Sequence, residues 1–132
     1  MRFGIKIVPI AMPLGAVGLA ALALAGAAPA EAAVGAFAYD EATGKYGASW
    51  NEPDEKAAEE AALKGCASDK CKIVFRTKAG QCGAIAATDN GKTWGGAWRL
   101  KREDAEKAAT ANCEKRPGAS GKCKVKTAQC NK

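Results

Sequence analysis

The chain contains no histidine. That removes the general base of Ser-His-Asp and Cys-His nucleophilic systems and the commonest metal ligand. There is no Cys-x-x-Cys pair, and the cysteine spacings are unlike those of a zinc knuckle. Neither metal ligation nor a dithiol redox centre is expected, and no cofactor is predicted. Serine is nearly as scarce. Beyond residue 30 only Ser49, Ser68 and Ser120 occur, none of them in a Gly-x-Ser-x-Gly elbow. No Gly-x-Gly-x-x-Gly or Walker-type loop is present, so nucleotide binding has no support.

Charge is missing from one long stretch. Ile7 to Ala27 is Ala/Leu/Val-rich without a single ionisable side chain, after a short basic start at Arg2 and Lys6. Ala28-Pro29-Ala30 then places small residues where a signal peptidase reads, so residues 1–30 are expected to be a signal peptide cleaved before Glu31. A run of about 20 apolar residues could also span a bilayer. Pro9, Pro13 and the small-residue ending favour removal, and no cysteine lies near the cleavage point to take a lipid anchor. The expected mature chain, residues 31–132, is long enough for one small domain. Without Arg2 and Lys6, 18 basic residues face 14 acidic ones. That modest excess, in an exported chain, argues against nucleic acid as a partner.

What the chain does have is a duplication. Gly35 to Trp50 is matched 48 positions later by Gly83 to Trp98. Gly35-Ala36-Phe37-Ala38 answers to Gly83-Ala84-Ile85-Ala86, and Tyr46-Gly47-Ala48-Ser49-Trp50 to Trp94-Gly95-Gly96-Ala97-Trp98. In each copy two short strands join through a turn, at Ala42-Thr43-Gly44 and at Asp89-Asn90-Gly91-Lys92, where Asn-Gly suits a tight hairpin. A helix follows, with acids near its start and Ala58, Ala62 and Cys66, or Ala105, Ala109 and Cys113, on one face. A third strand closes each unit, Cys71 to Arg76 and Cys123 to Ala128. The predicted fold is α+β: two tandem ββαβ repeats, about 35–82 and 83–130, sharing an antiparallel sheet in one pseudo-twofold, disulfide-stabilised domain.

All six cysteines, Cys66, Cys71, Cys82, Cys113, Cys123 and Cys130, lie in the exported part. Disulfides are therefore the default. Six cysteines allow 15 pairings. The pseudo-symmetric set Cys66–Cys71, Cys113–Cys123 and Cys82–Cys130 is preferred. Its first two bridges tie a helix end to the following strand, and its third joins equivalent ends of the two repeats.

The paired Gly-Ala-Φ-Ala openings, the Tyr/Trp-Gly-x-x-Trp motifs and the alanine-rich helices ending in cysteine resemble domain-of-unknown-function family 4189, small secreted bacterial proteins. The resemblance runs from about Val34 to Cys130. It implies export and a compact disulfide-bonded α+β domain, and no established catalytic residues.

Three groups of residues are candidates for chemistry. Glu52, Asp54 and Glu55 precede one helix, and Glu103 and Asp104 begin the other. Such carboxylates could serve a small hydrolase, but acids gather at helix N-termini because the dipole favours them. Tyr46 and Trp50, with their counterparts Trp94 and Trp98, have the spacing that puts two rings on one face of a strand. Exposed, the four rings would form a stacking platform. Buried, they would supply the bulk that alanine helices lack, and this core reading is preferred because other large side chains are few. Lys122, Lys124 and Lys126 alternate along the last strand, with Lys70, Lys72 and Arg76 similarly placed in the first copy. They could meet an anionic partner or guard a sheet edge.

The leading expectation is an exported, non-enzymatic binding domain, secreted or periplasmic, whose partner is a protein or an anionic envelope component. A secreted effector or enzyme inhibitor acting on another cell is the alternative. The chain would be a monomer or a repeat-swapped dimer. N-terminal sequencing of the exported protein should begin at Glu31; an intact Met1 on exported chain would show that the apolar run is retained.

Overall fold

The computed structural model describes residues 33–132. The expected signal peptide lies outside the described residues. The elements are β1 (Val34–Tyr39), β2 (Tyr46–Glu52), α1 (Glu55–Cys66), β3 (Lys72–Thr77), β4 (Cys82–Ala87), β5 (Trp94–Arg99), α2 (Arg102–Glu114) and β6 (Lys124–Cys130). This is ββαβ twice, the α+β class read from the sequence. No helix among the described residues is long and apolar enough to cross a membrane.

The six strands divide into two three-stranded antiparallel sheets, ordered β2-β1-β3 and β5-β4-β6, instead of joining edge to edge. The reason is the alternation along the central strands. On β1, Ala36 and Ala38 pack with Ala58, Ala62 and Cys66 of α1. On β4, Ala84 and Ala86 pack with Ala105, Ala109 and Cys113 of α2. The residues between them, Phe37, Tyr39, Ile85 and Ala87, form a third cluster with Ala48, Val74, Phe75 and Trp94. A single six-stranded sheet would leave that third face wet. Stacking the sheets buries it, giving layers in the order α1, first sheet, second sheet, α2. In this stack β3 lies against β4 and β5, and β2 against β6.

The seam between the sheets holds the large side chains. Phe37 and Phe75 stack with ring centroids 4.5 Å apart, and Tyr39 stacks on Trp94 at 4.9 Å. Room for the phenylalanines comes from glycines of the other sheet: a Cβ on Gly83 would lie 2.5 Å from Phe37 Cε2, and one on Gly96 2.6 Å from Phe75 Cε1. Polar links also cross the seam. Tyr39 Oη donates to the carbonyl of Gly91 (2.5 Å). Asn131, buried past the end of β6, donates through Nδ2 to Thr77 Oγ1 (2.8 Å) and Lys78 O (3.0 Å), while its Oδ1 accepts from Asn51 N (2.8 Å).

The duplication extends to an irregularity. The register of β1 with β3 shifts between Phe37 and Ala38, and that of β4 with β6 between Ile85 and Ala86. Val74 and Lys126 are the unpaired residues. This bulge breaks the alternation expected for the last strand. Val125 is left 40% exposed and Lys126 half-buried, so Lys122, Lys124 and Lys126 do not form one clean row.

Three disulfides close the fold. Cys66–Cys71 and Cys113–Cys123 each bind a helix end to the residue preceding the next strand. Cys82–Cys130 joins facing residues of β4 and β6. Both of its cysteines therefore belong to the second sheet, and Val34 occupies the position matching Cys82 in the first. The bridge staples one repeat internally; it does not connect equivalent ends of both. On the loop-entropy model, closing its 48-residue separation contributes about 4 kcal/mol.

Each helix lies close to its sheet because a glycine is placed beneath it. A Cβ on Gly47 would stand 2.1 Å from Ala62 O, and one on the equivalent Gly95 2.3 Å from Cys113 N. α1 starts one residue after Pro53-Asp54, with Asp54 Oδ1 accepting from Ala57 N (2.8 Å) as its N-cap. Gly65, inside α1, meets nothing nearer than Gly47 Cα at 3.8 Å. We expect Gly47→Ala to lower stability by about 2 kcal/mol or more, because helix backbone must move. Gly65→Ala should raise it by up to about 1 kcal/mol through helix propensity. Chemical denaturation with the disulfides intact would check both; a harmless Gly47→Ala would refute the close packing.

Candidate functional site

The structure separates the four paired aromatics. Gly47 and Ser49 on β2, and Gly95 and Ala97 on β5, are the inward positions beneath the helices. The rings therefore project from the opposite faces of these strands, toward the seam. Both strands are outer strands, however, and the seam covers only part of them. Trp50 is 45% exposed, Trp98 46% and Tyr46 38%; only Trp94 is mostly covered. The core reading is thus corrected for Tyr46, Trp50 and Trp98, whereas Trp94 does pack in the seam. The bulk comes from Phe37, Tyr39, Phe75 and Ile85, which the central strands and β3 carry. The four-ring platform is corrected as well: β2 flanks β6 while β5 flanks β3, so the two pairs stand on opposite sides of the sandwich.

On the β5 side the arrangement is concave. Trp94, Gly96 and Trp98 run along β5, with Val74 and Phe75 of β3 opposite and Asn112 of α2 and Arg116, just past the end of that helix, at the rim, around a cleft of about 340 Å³. Trp94 is engaged by the protein. Tyr39 stacks on it, its Nε1 donates to Glu41 Oε1 (3.1 Å), and the Arg116 guanidinium lies 5.5 Å from the ring centroid. Asn112 Nδ2 donates to Gly96 O (3.0 Å), which secures the free edge of β5 to the helix. Trp98 is the ring left open to a ligand. A second cavity, about 540 Å³, shares Val74 and is bordered by Tyr39, Asp40, Glu41, Asp69, Lys70 and Lys72.

The chemistry of the aromatic cleft is limited by its lining. It offers ring faces, a guanidinium and a carboxamide, but no hydroxyl, thiol or carboxylate. It can stack and hydrogen-bond a partner.

The other candidates fall elsewhere. Lys122 and Lys124 border the turn at Thr88–Asn90, and Lys124 Nζ lies 3.7 Å from Asp89 Oδ1. Arg76 is paired with Glu59 of α1. Lys70 and Lys72 share their cavity with three carboxylates. Glu52 ends β2, Asp54 and Glu55 begin α1, and Glu103 and Asp104 lie in the first turn of α2, the helix on the opposite outer layer.

One residue with unusual electrostatics was not singled out from the sequence. Asp40 is fully covered at the end of β1. Its Oδ2 accepts from Ser68 Oγ and Thr43 Oγ1, both at 2.7 Å, and its Oδ1 from Ala42 N at 2.8 Å. These bonds, the one from Ser68 foremost, hold the carboxyl down to about 2. An Asp followed three residues later by Thr in a turn is the signal that could have found it. Next to it, burial, followed by the charges of Glu41 and Asp40, pushes the Tyr39 phenol above its ordinary value and keeps it a donor to Gly91.

A small α+β sandwich, built by duplication and stapled by three disulfides, is the class these features define. The chain belongs to the DUF4189 family (domain of unknown function), whose model matches residues 34–130. Its fold is similar to that in the NMR structure of Rv1813c from Mycobacterium tuberculosis, with a TM-score of 0.55 and 24% identity over 99% of this chain and 97% of that one. That likeness shows the fold alone. Protein Rv1269c of Mycobacterium tuberculosis (strain H37Rv) and Protein Mb1300c of Mycobacterium bovis are each 44% identical over 55 residues, 42% of this chain. The match spans 42% of the length of those relatives.

The Asp40 knot gives a pH prediction. A carboxyl held below its unfolded value contributes stability that is present above that value, near 4, and is lost as pH falls through about 2. The wild-type melting temperature should drop across that window. Asp40→Asn, which cannot ionise, should be less stable at neutral pH and show a shallower acid drop. Equal acid profiles would refute the assignment.

Proposed function

We propose that the chain is an exported, non-enzymatic binding domain whose recognition surface is the β5 flank. The observation that carries this reading is Trp98, a large ring 46% exposed over a cleft lined by aromatic rings, a carboxamide and a guanidinium. Tryptophan is costly to leave in water and is prominent among residues that anchor partners. The three disulfides support the exported half of the reading, since such bonds persist in oxidising compartments. They also keep the cleft in shape before a partner arrives, which lowers the ordering cost of binding. The partner in this reading is a protein or an anionic component of the cell envelope, and the basic residues around the flank steer it.

Sedimentation of the exported protein with envelope isolated from its native cell would test this. Wild type is expected to co-sediment, and Trp98→Ala to lose about tenfold or more in affinity. Trp98→Ala binding as well as wild type would discard this surface. Accumulation in the medium with no envelope affinity would instead favour a secreted effector.

A further inference from the structure

Among the described residues Leu100 is the most exposed large apolar side chain, at 74%. It stands in Trp98-Arg99-Leu100-Lys101-Arg102, the segment from β5 into α2, where Arg99, Lys101 and Arg102 are also exposed. An apolar residue this exposed has no neighbours in its own chain over most of its surface. Its backbone is nonetheless well held. Arg99 pairs with Cys82 across the ladder, the Leu100 carbonyl lies 3.9 Å from Cys82 Sγ, and Arg102 Nη1 donates to Ala128 O (2.5 Å). The Cys82–Cys130 staple, which the first repeat lacks, thus sits directly beneath the segment.

The duplication supplies an internal comparison. The equivalent segment in the first repeat, one residue longer, is Trp50-Asn51-Glu52-Pro53-Asp54-Glu55. Its tryptophan is as exposed as Trp98, but the only other apolar residue there is Pro53 and its charges are negative. The two copies share the ring and differ in what surrounds it. One is acidic, while the other carries three positive charges and a leucine before Glu103 and Asp104 begin to balance them inside α2.

We propose that Trp98–Arg102 is a docking element for an anionic lipid surface, resting on the reading of the β5 flank as the recognition surface. Tryptophan favours the water–lipid interface. A leucine beside it enters the acyl boundary, and arginine and lysine meet the headgroup charge. Charge complementarity selects the anionic leaflet, and the acidic Trp50 segment does not share the property. With two apolar side chains, the association is shallow and reversible.

The test uses the exported chain, its N-terminus read by mass spectrometry, and phosphatidylcholine vesicles with or without phosphatidylglycerol. Wild type should co-sediment with the anionic vesicles and not with the neutral ones. Leu100→Ser should weaken this about tenfold or more, the effect of one leucine withdrawn from an apolar medium. The Arg99→Glu, Lys101→Glu pair should weaken it at least about 25-fold, at about fivefold per basic residue near the leaflet. Quenching of tryptophan fluorescence by brominated anionic lipid should be lost in Trp98→Phe and kept in Trp50→Phe, a readout independent of the charge changes. Equal binding to neutral vesicles, or variants that bind like wild type, would overturn the proposal. If vesicle binding is absent while Trp98-dependent sedimentation with envelope persists, only the lipid assignment fails. If both are absent, the β5 flank is not a recognition surface.

Discussion

The stacking of two sheets through one narrow seam is the contact on which the rest of the structure depends. Helices faced with alanine bury little apolar volume for each residue they order. The clusters under α1 and α2 consist mainly of alanine and cysteine, and neither contains an aromatic ring. The seam is different: Phe37 on Phe75, Tyr39 on Trp94, and Ile85 between the central strands. Each half of it belongs to a different repeat. Neither repeat can bury its large side chains alone, so the duplication is a condition of folding and not an ornament of it.

The position of the binding flank follows from that seam. Phenylalanine rings inserted over Gly83 and Gly96 draw the sheets together at their centre. A seam filled by so few large residues is too narrow to cover the outer strands. The rings on β2 and β5 reach its rim, where Trp94 is caught by Tyr39 while Trp98, four residues further along the strand, is not. The bridge at the end of β4 and β6 then fixes the strand end from which Trp98 and Leu100 project. Core, disulfide and exposed apolar residues are in this way parts of one mechanical arrangement.

Duplication followed by divergence accounts for the asymmetry. The strand glycines beneath the helices, the bulges at Val74 and Lys126, and the exposed tryptophans occur in both copies. The buried Asp40, the extra disulfide and the charges around Trp50 and Trp98 do not. The shared glycines and bulges serve the sandwich, where both halves meet the same packing problem. The features confined to one copy lie at turns and strand ends, where a change does not disturb the partner repeat.

Much of this was legible in the amino-acid sequence, because the signals are local. The Asn-Gly turn and the alanine stripes act within a few residues of themselves, the repeat offset carries them to the second copy, and together they determine ββαβ twice. The family followed from the same motifs. Two sheets in place of one, the bulge that breaks the Lys122–Lys126 row, and the confinement of Cys82–Cys130 to one repeat depend on which distant strand lies opposite. The same holds for the aromatics. The spacing of Tyr46, Trp50, Trp94 and Trp98 says that they share a face, but not whether another sheet covers it. Tertiary structure decided that, because burial of a strand face depends on the width of what packs against it, and that width was set by Phe37 and Phe75 elsewhere in the chain.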